Sequence, residues 1–234
     1  MKYATWRPVY EEILADFGFD RRDDEAARDV LGTLVDLPDL DRFGSWSGTT
    51  VAIAGAGPSL EAEINIARAA DRVVAASAAG VRLRSHGVIV DLVVTDLDGA
   101  PSVAVADTWR GRPVVVAAHG DNIPAIRRFV PHMNRAHVIG TTQAEPVGPV
   151  VNFGGFTDGD RAAFLADGLG AGRLCFLGWD IDDPTVTPTK CRKLRWAARL
   201  LWWLEQRRGD RFSVLDGLRE EIVAEWTPPT ERQG

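Results

Sequence analysis

The chain has little of what would staple it, anchor it or give it a positive field. Two cysteines in 234 residues, Cys175 and Cys191, are too few and too far apart for a disulfide framework or a zinc site. No apolar run approaches the about 18 residues that a membrane-spanning helix needs, and no stretch has the pattern of a signal peptide. The expectation is a soluble cytoplasmic protein with no membrane partner. Acids outnumber bases, 33 Asp and Glu against 27 Lys and Arg, for a formal net charge of −6. Without a basic excess, nucleic acid is not an expected partner. Lysine is scarce, three in the whole chain, and Asp outnumbers Glu two to one. Internal repeats and low-complexity tracts are also missing. The length suits one globular domain with a small appendage.

Helical periodicity comes first along the chain. Tyr10, Ile13, Leu14 and Phe17 recur at helical spacing, and Ala26, Val30, Leu31 and Leu34 repeat the pattern. Residues 1–47 are expected to form an N-terminal extension of two or more helices. Residues 48–226 follow as an α/β domain, and residues 227–234 as a disordered polar tail. Within the α/β part, strands are predicted at Val51–Ala54, Val73–Ala76, Leu92–Thr95, Pro113–Ala118, Ala136–Gly140 and Leu174–Leu177. Helices are predicted between them, up to about Ala70 and at Val81–His86, Ser102–Trp109, Ile123–His132 and Asp160–Leu169. Continuous apolar strands separated by helices imply an α/β fold with a mostly parallel open sheet, covered on both faces. A long helix is predicted over Pro188–Arg208, and a last one near Val214–Trp226. Trp202 and Trp203 cannot share one helix face. One of them packs elsewhere or at a subunit contact, which leaves a homo-oligomer open.

Three acidic clusters each stand where a strand should end. They are Thr95-Asp96-Leu97-Asp98-Gly99, His119-Gly120-Asp121-Asn122 and Phe156-Thr157-Asp158-Gly159-Asp160-Arg161. Ligands of open α/β sheets bind outside the carboxyl ends of the strands. Five carboxylates gathered there repel one another unless cations neutralise them. Mg²⁺, a hard acid that shares its shell with substrate phosphates, is the expected cation. If the chain stays extended, Asp96 and Asp98 point the same way; the alternative is an Asp-Gly turn. Asp121 and Asn122 also suit a helix cap, with Pro124 in the first turn. Thr157 and Asp160 suit a capping box and the helix dipole favours acids there, but the box does not require Asp158. His119 is open between orienting a carboxylate, touching a phosphate and neither.

Basic and glycine-rich candidates accompany the acids. Arg161 is placed to pair with them or to clamp a phosphate. Gly55-Ala56-Gly57-Pro58-Ser59-Leu60 lacks the lysine and spacing of a Walker loop. Such a turn still brings backbone N–H groups to an anion, with Ser59 as a side-chain donor; the alternative is a plain strand-to-helix turn. Lys190 and Lys193 share a face of the long helix and suit either a polyphosphate or a solvated surface.

Taken in order, GAGPSL (55–60), VVTDLDG (93–99), HGDN (119–122), GTTQ (140–143), NFGGFTDGDRA (152–162) and LGWD (177–180) resemble the archaeal 6-hydroxymethyl-7,8-dihydropterin pyrophosphokinase family. Trp6, Tyr10, Ile13, Phe17-Gly18-Phe19-Asp20 and Lys190 with Lys193-Leu194 are similar too, so the resemblance covers most of residues 5–200. The sheet and acidic motif also look like the catalytic domain of thiamin pyrophosphokinases. The resemblance implies transfer of a diphosphate from ATP to the pterin hydroxymethyl group, with release of AMP, in pterin or folate-type cofactor synthesis. One departure bears on the acceptor. Where such proteins show Asp-Gly after the second strand, this chain has Ser77 in Ala76-Ser77-Ala78-Ala79-Gly80.

The expected roles follow. Asp96, Asp98, Asp121, Asp158 and Asp160 hold one or two Mg²⁺ ions, directly or through water, that bridge ATP phosphates. Asp121 is the candidate acceptor of the alcohol proton, the alternative being a metal-bound alkoxide that needs no dedicated base. Gly55, Gly57, Ser59, Arg161, Lys190 and Lys193 line the nucleotide and polyphosphate pocket. Asn122, Thr142, Gln143 and Asn152 offer polar contacts to a heterocycle. Two other readings fit part of the pattern. A nucleotide-sugar-dependent glycosyltransferase shares Gly-x-Gly-Pro-Ser-Leu and Asp-x-Asp, but leaves the third carboxylate cluster unexplained. A catalytically inactive nucleotide sensor has Ser77 as its only pointer.

Overall fold

A computed structural model describes residues 1–40 and 45–229. The chain opens with two helices, α1 (Tyr3–Phe17) and α2 (Arg21–Gly32). Gly18, in the left-handed region at φ 70, ends the first, and the Asp20 side chain caps the second by accepting from the Arg22 amide at 2.9 Å. The α/β part then alternates strands with helices, except that its fifth strand is followed directly by the sixth. Its first half runs β1 (Thr50–Ala54), α3 (Ile64–Ala69), β2 (Arg72–Ala76), α4 (Ala79–Ser85), β3 (Leu92–Thr95) and α5 (Pro101–Trp109). The second half runs β4 (Val114–Ala118), α6 (Ile123–Phe129), β5 (Val138–Thr142), β6 (Val150–Val151), α7 (Asp158–Gly168) and β7 (Arg173–Leu177). Helices α8 (Pro188–Arg208) and α9 (Arg219–Glu225) close the described chain. No helix among the described residues is long and apolar enough to cross a membrane. The tail expected over 227–234 lies outside the described residues from 230 onward.

The seven strands form one all-parallel open sheet in the order β6-β5-β4-β3-β2-β1-β7. Winding runs outward from β1 to β6 and then returns to place β7 on the other side of β1. The loops after β1 and β7 therefore diverge at the carboxyl rim, which is where open sheets leave a crevice.

Alternation along the strands builds two apolar layers. Val51, Ile53, Val74, Val94, Val115 and Ile139 face α1, α7 and α8. Val114, Val116, Ala118 and Val138 face the opposite layer with α2, α5 and α6. Helix α1 thus lies on one face of the sheet and α2 on the other. The link Gly18-Phe19-Asp20 crosses the carboxyl rim between them, and this crossing shapes the site.

Several boundaries differ from the sequence expectation for identifiable reasons. Strand β5 starts two residues late because Asn134 caps a 3₁₀ turn over Arg135–His137. Helix α6 stops at Phe129, where Pro131 tightens the continuation into a 3₁₀ turn. The segment near Val214–Trp226 splits into a turn and α9 at Gly217, whose φ is 87. Strand β6 was not expected, since two valines after Pro149 make no readable run. Trp202 and Trp203 of α8 are both buried within this chain. Trp203 stacks on Trp6 at 6.4 Å, and Trp202 turns to Trp226 at 6.2 Å.

Candidate active site

A cavity of about 780 Å³ opens over the carboxyl rim, bounded by the loops after β1, β2, β3, β4 and β7, the starts of α7 and α8, and the α1–α2 link. Asp96, Asp98, Asp121, Asp158, Arg161, Lys190, Lys193, Gln143, Gly55 and Gly57 all line it. Ser59, Asn122, Thr142, Asn152 and Asp160 do not.

The backbone after β3 is not extended, contrary to one of the two expectations for Asp96 and Asp98. Thr95 Oγ1 accepts from the Leu97 amide at 3.0 Å, and Asp96 Oδ1 from the Asp98 amide at 3.1 Å. Leu97 is held at φ 73, a strained conformation for a branched residue, with its side chain buried as an anchor. This turn, rather than strand alternation, brings the two carboxyls together. Ser77, the other non-glycine residue at positive φ among the described residues, donates from Oγ to Asp98 Oδ1 at 3.4 Å.

The three carboxyls at the centre have unequal titration. Burial opposes ionisation of Asp96, but hydrogen bonds from His119 and Asp98 outweigh it and hold the group at about 2. Loss of surrounding water and then the Asp96 charge push Asp98 up. Burial, followed by the charge of Asp96, pushes Asp158 well above the ordinary carboxyl range; Arg161 offsets only part of this. The cluster is short of positive charge. Among the described residues, no three His, Cys, Asp or Glu side chains already form a closed ligand set for an ion.

His119 joins two of the clusters. Its Nε2 lies 3.3 Å from Asp96 Oδ2 and its Nδ1 2.6 Å from Asp121 Oδ1. Asp121 is 85% exposed at the mouth of the cleft and meets the central carboxyls only through this imidazole. Asp160, by contrast, faces away. It is fully buried, and its carboxyl accepts from the Phe156 amide, from the Thr157 amide at 3.1 Å and from Thr157 Oγ1 at 2.7 Å. That is the capping box of α7, so the expected metal role of Asp160 is replaced by a structural one. Asp158, at the first position of the same helix, is the aspartate left to the cleft.

The glycine loop also departs from expectation. Gly55 N–H donates to Leu177 O and Gly57 N–H to Gly178 O, both at 2.9 Å. Ser59 donates to Asp180 Oδ2 from its amide at 3.0 Å and from Oγ at 2.9 Å. The donors expected to meet a phosphate are thus committed to the loop after β7. A Cβ at Gly57 would stand 2.1 Å from Asp180 Oδ2, and one at Gly55 2.4 Å from Gly178 O. The glycines permit two diverging loops to touch; Ser59 holds Asp180.

Positive charge comes instead from α7 and α8. Arg161 is 1% exposed, and its Nε and Nη1 have no hydrogen-bond partner. Lys190 is close enough for its charge to act on Asp98, and Lys193 Nζ lies 5.9 Å from the Phe156 ring centre.

Three of the four expected heterocycle contacts are scaffolding. Asn122 Nδ2 donates to Ala117 O and Asp96 O at 2.7 and 2.9 Å. Thr142 Oγ1 accepts from Ala144 N, and Asn152 bridges Gln143 O, Ala144 O and Gly154 N. Only Gln143 reaches the cavity.

Sequence reasoning missed Asp24, Trp179 and Asp180 as wall residues. Asp24 had a signal: it falls on the same face of α2 as Ala27 and Leu31, an acid on an apolar stripe.

Comparison with known proteins adds the chain's relatives. A family model described as "6-hydroxymethylpterin diphosphokinase MptE-like" matches residues 30–185. A Methanothermobacter thermautotrophicus protein named 6-hydroxymethyl-7,8-dihydropterin pyrophosphokinase is 39% identical over 90% of this chain and 97% of its own length. A protein of the same name from Pyrococcus furiosus is 36% identical over 88% and 95%. One from Methanocaldococcus jannaschii is 34% identical over 77% and 80%.

Proposed function

Because this chain belongs to the 6-hydroxymethylpterin diphosphokinase MptE-like family, we propose that it transfers a diphosphate from ATP to 6-hydroxymethyl-7,8-dihydropterin, with Mg²⁺, releasing AMP. The observation that carries this reading is one cleft that sets Asp96, Asp98 and Asp158 against Arg161, Lys190 and Lys193. Acids of this kind without bases would suit a bare cation, and bases without acids a bare phosphate. Both together suit a metal–polyphosphate.

The donor chemistry fits Mg²⁺. The available ligands are carboxylate oxygens, and the raised titration of Asp98 and Asp158 marks a site that takes up protons in place of a cation. An open set of few carboxylates also matches an ion that keeps waters and takes substrate phosphates as ligands. Asp96, Asp98 and Asp158 would hold the ion, which would supply positive charge where negative charge builds on the phosphoryl oxygens.

The chain's own side chains account for the rest. Lys190 and Lys193 meet the polyphosphate from the start of α8, and the buried Arg161 adds its positive charge beside Asp158. The Asp121 carboxyl, at the mouth, accepts the alcohol proton, and His119 holds it in register with Asp96. Little covalent help is needed, since positioning and fixed charge supply most of the rate in phosphoryl transfer. The glycosyltransferase alternative gives way to the family assignment. The reaction belongs to pterin-type cofactor synthesis.

The test is product analysis with ATP and Mg²⁺ in the presence of the pterin, of thiamine, or of no acceptor. AMP formed with the pterin alone is the expected result. ATP left intact in all three, despite binding of Mg–ATP, would turn the reading to the inactive sensor.

A further inference from the structure

The two ends of the cleft differ in burial and in hydrogen-bonding capacity. At the β4–β5 end, under the α1–α2 link, Asp24, Gln143 and Arg161 line the cavity and are only 4%, 3% and 1% exposed. Asp24 Oδ1 accepts from the Gly120 amide at 2.8 Å. Its Oδ2 accepts from Tyr10 Oη at 2.6 Å and Gln143 Nε2 at 2.8 Å. A carboxylate offers about four lone-pair sites, so one remains on Oδ1. Donation to Asp24 also orients the Gln143 amide and leaves its Oε1 as an acceptor. Arg161 supplies the opposite polarity through Nε and Nη1, buried without partners. Unmet buried donors are costly, and a ligand acceptor relieves that cost. Phe19 adds an aromatic face at the rim of this end.

The β1–β7 end is a shelf. Asp180 Oδ2 is pinned by Ser59, while Oδ1 has no hydrogen-bond partner among the described residues. The nearby Arg82 guanidinium is committed to Glu61. Trp179 is fixed by donation from its indole N–H to Ile53 O at 3.0 Å and presents a half-buried ring. With strands spaced about 4.8 Å apart, the two ends stand roughly 10 and 14 Å to either side of β3. The acid cluster lies between them.

We propose that the buried end reads the heterocycle of the alcohol acceptor, through acceptor sites on Asp24 and Gln143 and donor sites on Arg161, and that the Trp179–Asp180 shelf receives the nucleoside of ATP. A 2-amino-4-oxo pteridine carries adjacent N–H donors and a carbonyl acceptor on one edge, which complements the first set. A ribose diol offers two O–H donors to a fixed carboxylate, an arrangement that sheet-rim acids make with nucleotides. A desolvated polar pocket also rejects ligands that leave its groups unpaired, so the buried end is where acceptor specificity is set.

This assignment rests on the reaction proposed above, and the experiment separates the two. Titration calorimetry follows 6-hydroxymethyl-7,8-dihydropterin and Mg–ATP, each alone, on wild type, Asp24→Asn, Gln143→Met and Asp180→Asn, with folding checked by thermal unfolding. Asp24→Asn and Gln143→Met are expected to weaken the pterin about tenfold or more and Mg–ATP less than about twofold, and Asp180→Asn the reverse. Should Asp24→Asn fail to fold, Gln143→Met carries the same expectation. The opposite pattern, equal weakening of both ligands, or no weakening of either overturns the assignment while leaving wild-type AMP formation in place. A wild type that binds the pterin with this variant pattern but forms no AMP overturns the reaction and keeps the assignment. A wild type that does not bind the pterin overturns both.

Discussion

Asp158 and Asp160 stand two residues apart at the start of one helix, yet one faces the cleft and the other the backbone. Replacing them should give opposite outcomes. Asp158→Asn removes a carboxyl that burial and Asp96 keep well above its ordinary range. A carboxyl raised in this way favours the folded state below its unfolded value, and that contribution is lost as pH rises through the folded value. At neutral pH the metal-free variant should therefore melt above wild type, by about 2–4 °C for each 1 kcal/mol of relieved repulsion. Turnover should fall about 10³-fold or more. Scanning calorimetry and a kcat measurement check the two halves. Asp160→Ala should instead lose about 1–2 kcal/mol of stability, read by urea unfolding, because it deprives Thr157 and Phe156 of their cap. The sequence offered both roles for Thr157-Asp158-Gly159-Asp160 and could not assign them. The choice depends on how the chain enters α7, which is fixed by Gly154 and Gly155 at φ 93 and 92.

Among the elements, α8 was legible to the residue, and its punctuation explains why. Thr187 caps it, Pro188 opens it, and Gly209 at φ 63 closes it. The strands were legible because a parallel strand buried on both faces reads as an unbroken apolar run. What remained hidden was side-chain use at the rim, where backbone turns decide direction. GAGPSL looked like an anion loop, but its donors are taken by the loop after β7, which is adjacent only once the sheet has wound back. The partnership of α1 with α8 was equally non-local. Trp203 packs on Trp6 at 6.4 Å and on Phe164 at 6.0 Å. Trp203→Ala should cost about 3–5 kcal/mol in urea unfolding. A cost near zero would show that α1 does not rest on this stack.

At the scale of the whole molecule, the sheet brings carboxyls from the ends of β3 and β4 and from the start of α7 into one field short of positive charge. That field makes cation affinity depend on pH. Asp98 and Asp158 titrate above ordinary carboxyls, so the Mg²⁺ proposed to bind there would displace their protons. Affinity for Mg²⁺ should therefore rise with pH above about 4, the ordinary carboxyl value, and level off once both groups are ionised. Asp96 works in the other direction. Held at about 2, it stabilises the fold above its ordinary value, and that contribution is lost as pH falls towards about 2. Calorimetry in two buffers of different ionisation enthalpy should detect protons released with Mg²⁺ uptake. Release that is absent across the acidic range would mean that these carboxyls do not receive the ion.

The central claim is attack at the β-phosphorus of ATP by an alcohol held over the acid cluster. Its most direct test is ATP labelled at the β-phosphorus, turned over with Mg²⁺ and 6-hydroxymethyl-7,8-dihydropterin. The label should pass wholly into a pterin diphosphate, with unlabelled AMP as the only nucleotide product. Label retained in ADP, with a pterin monophosphate formed alongside, would contradict the account.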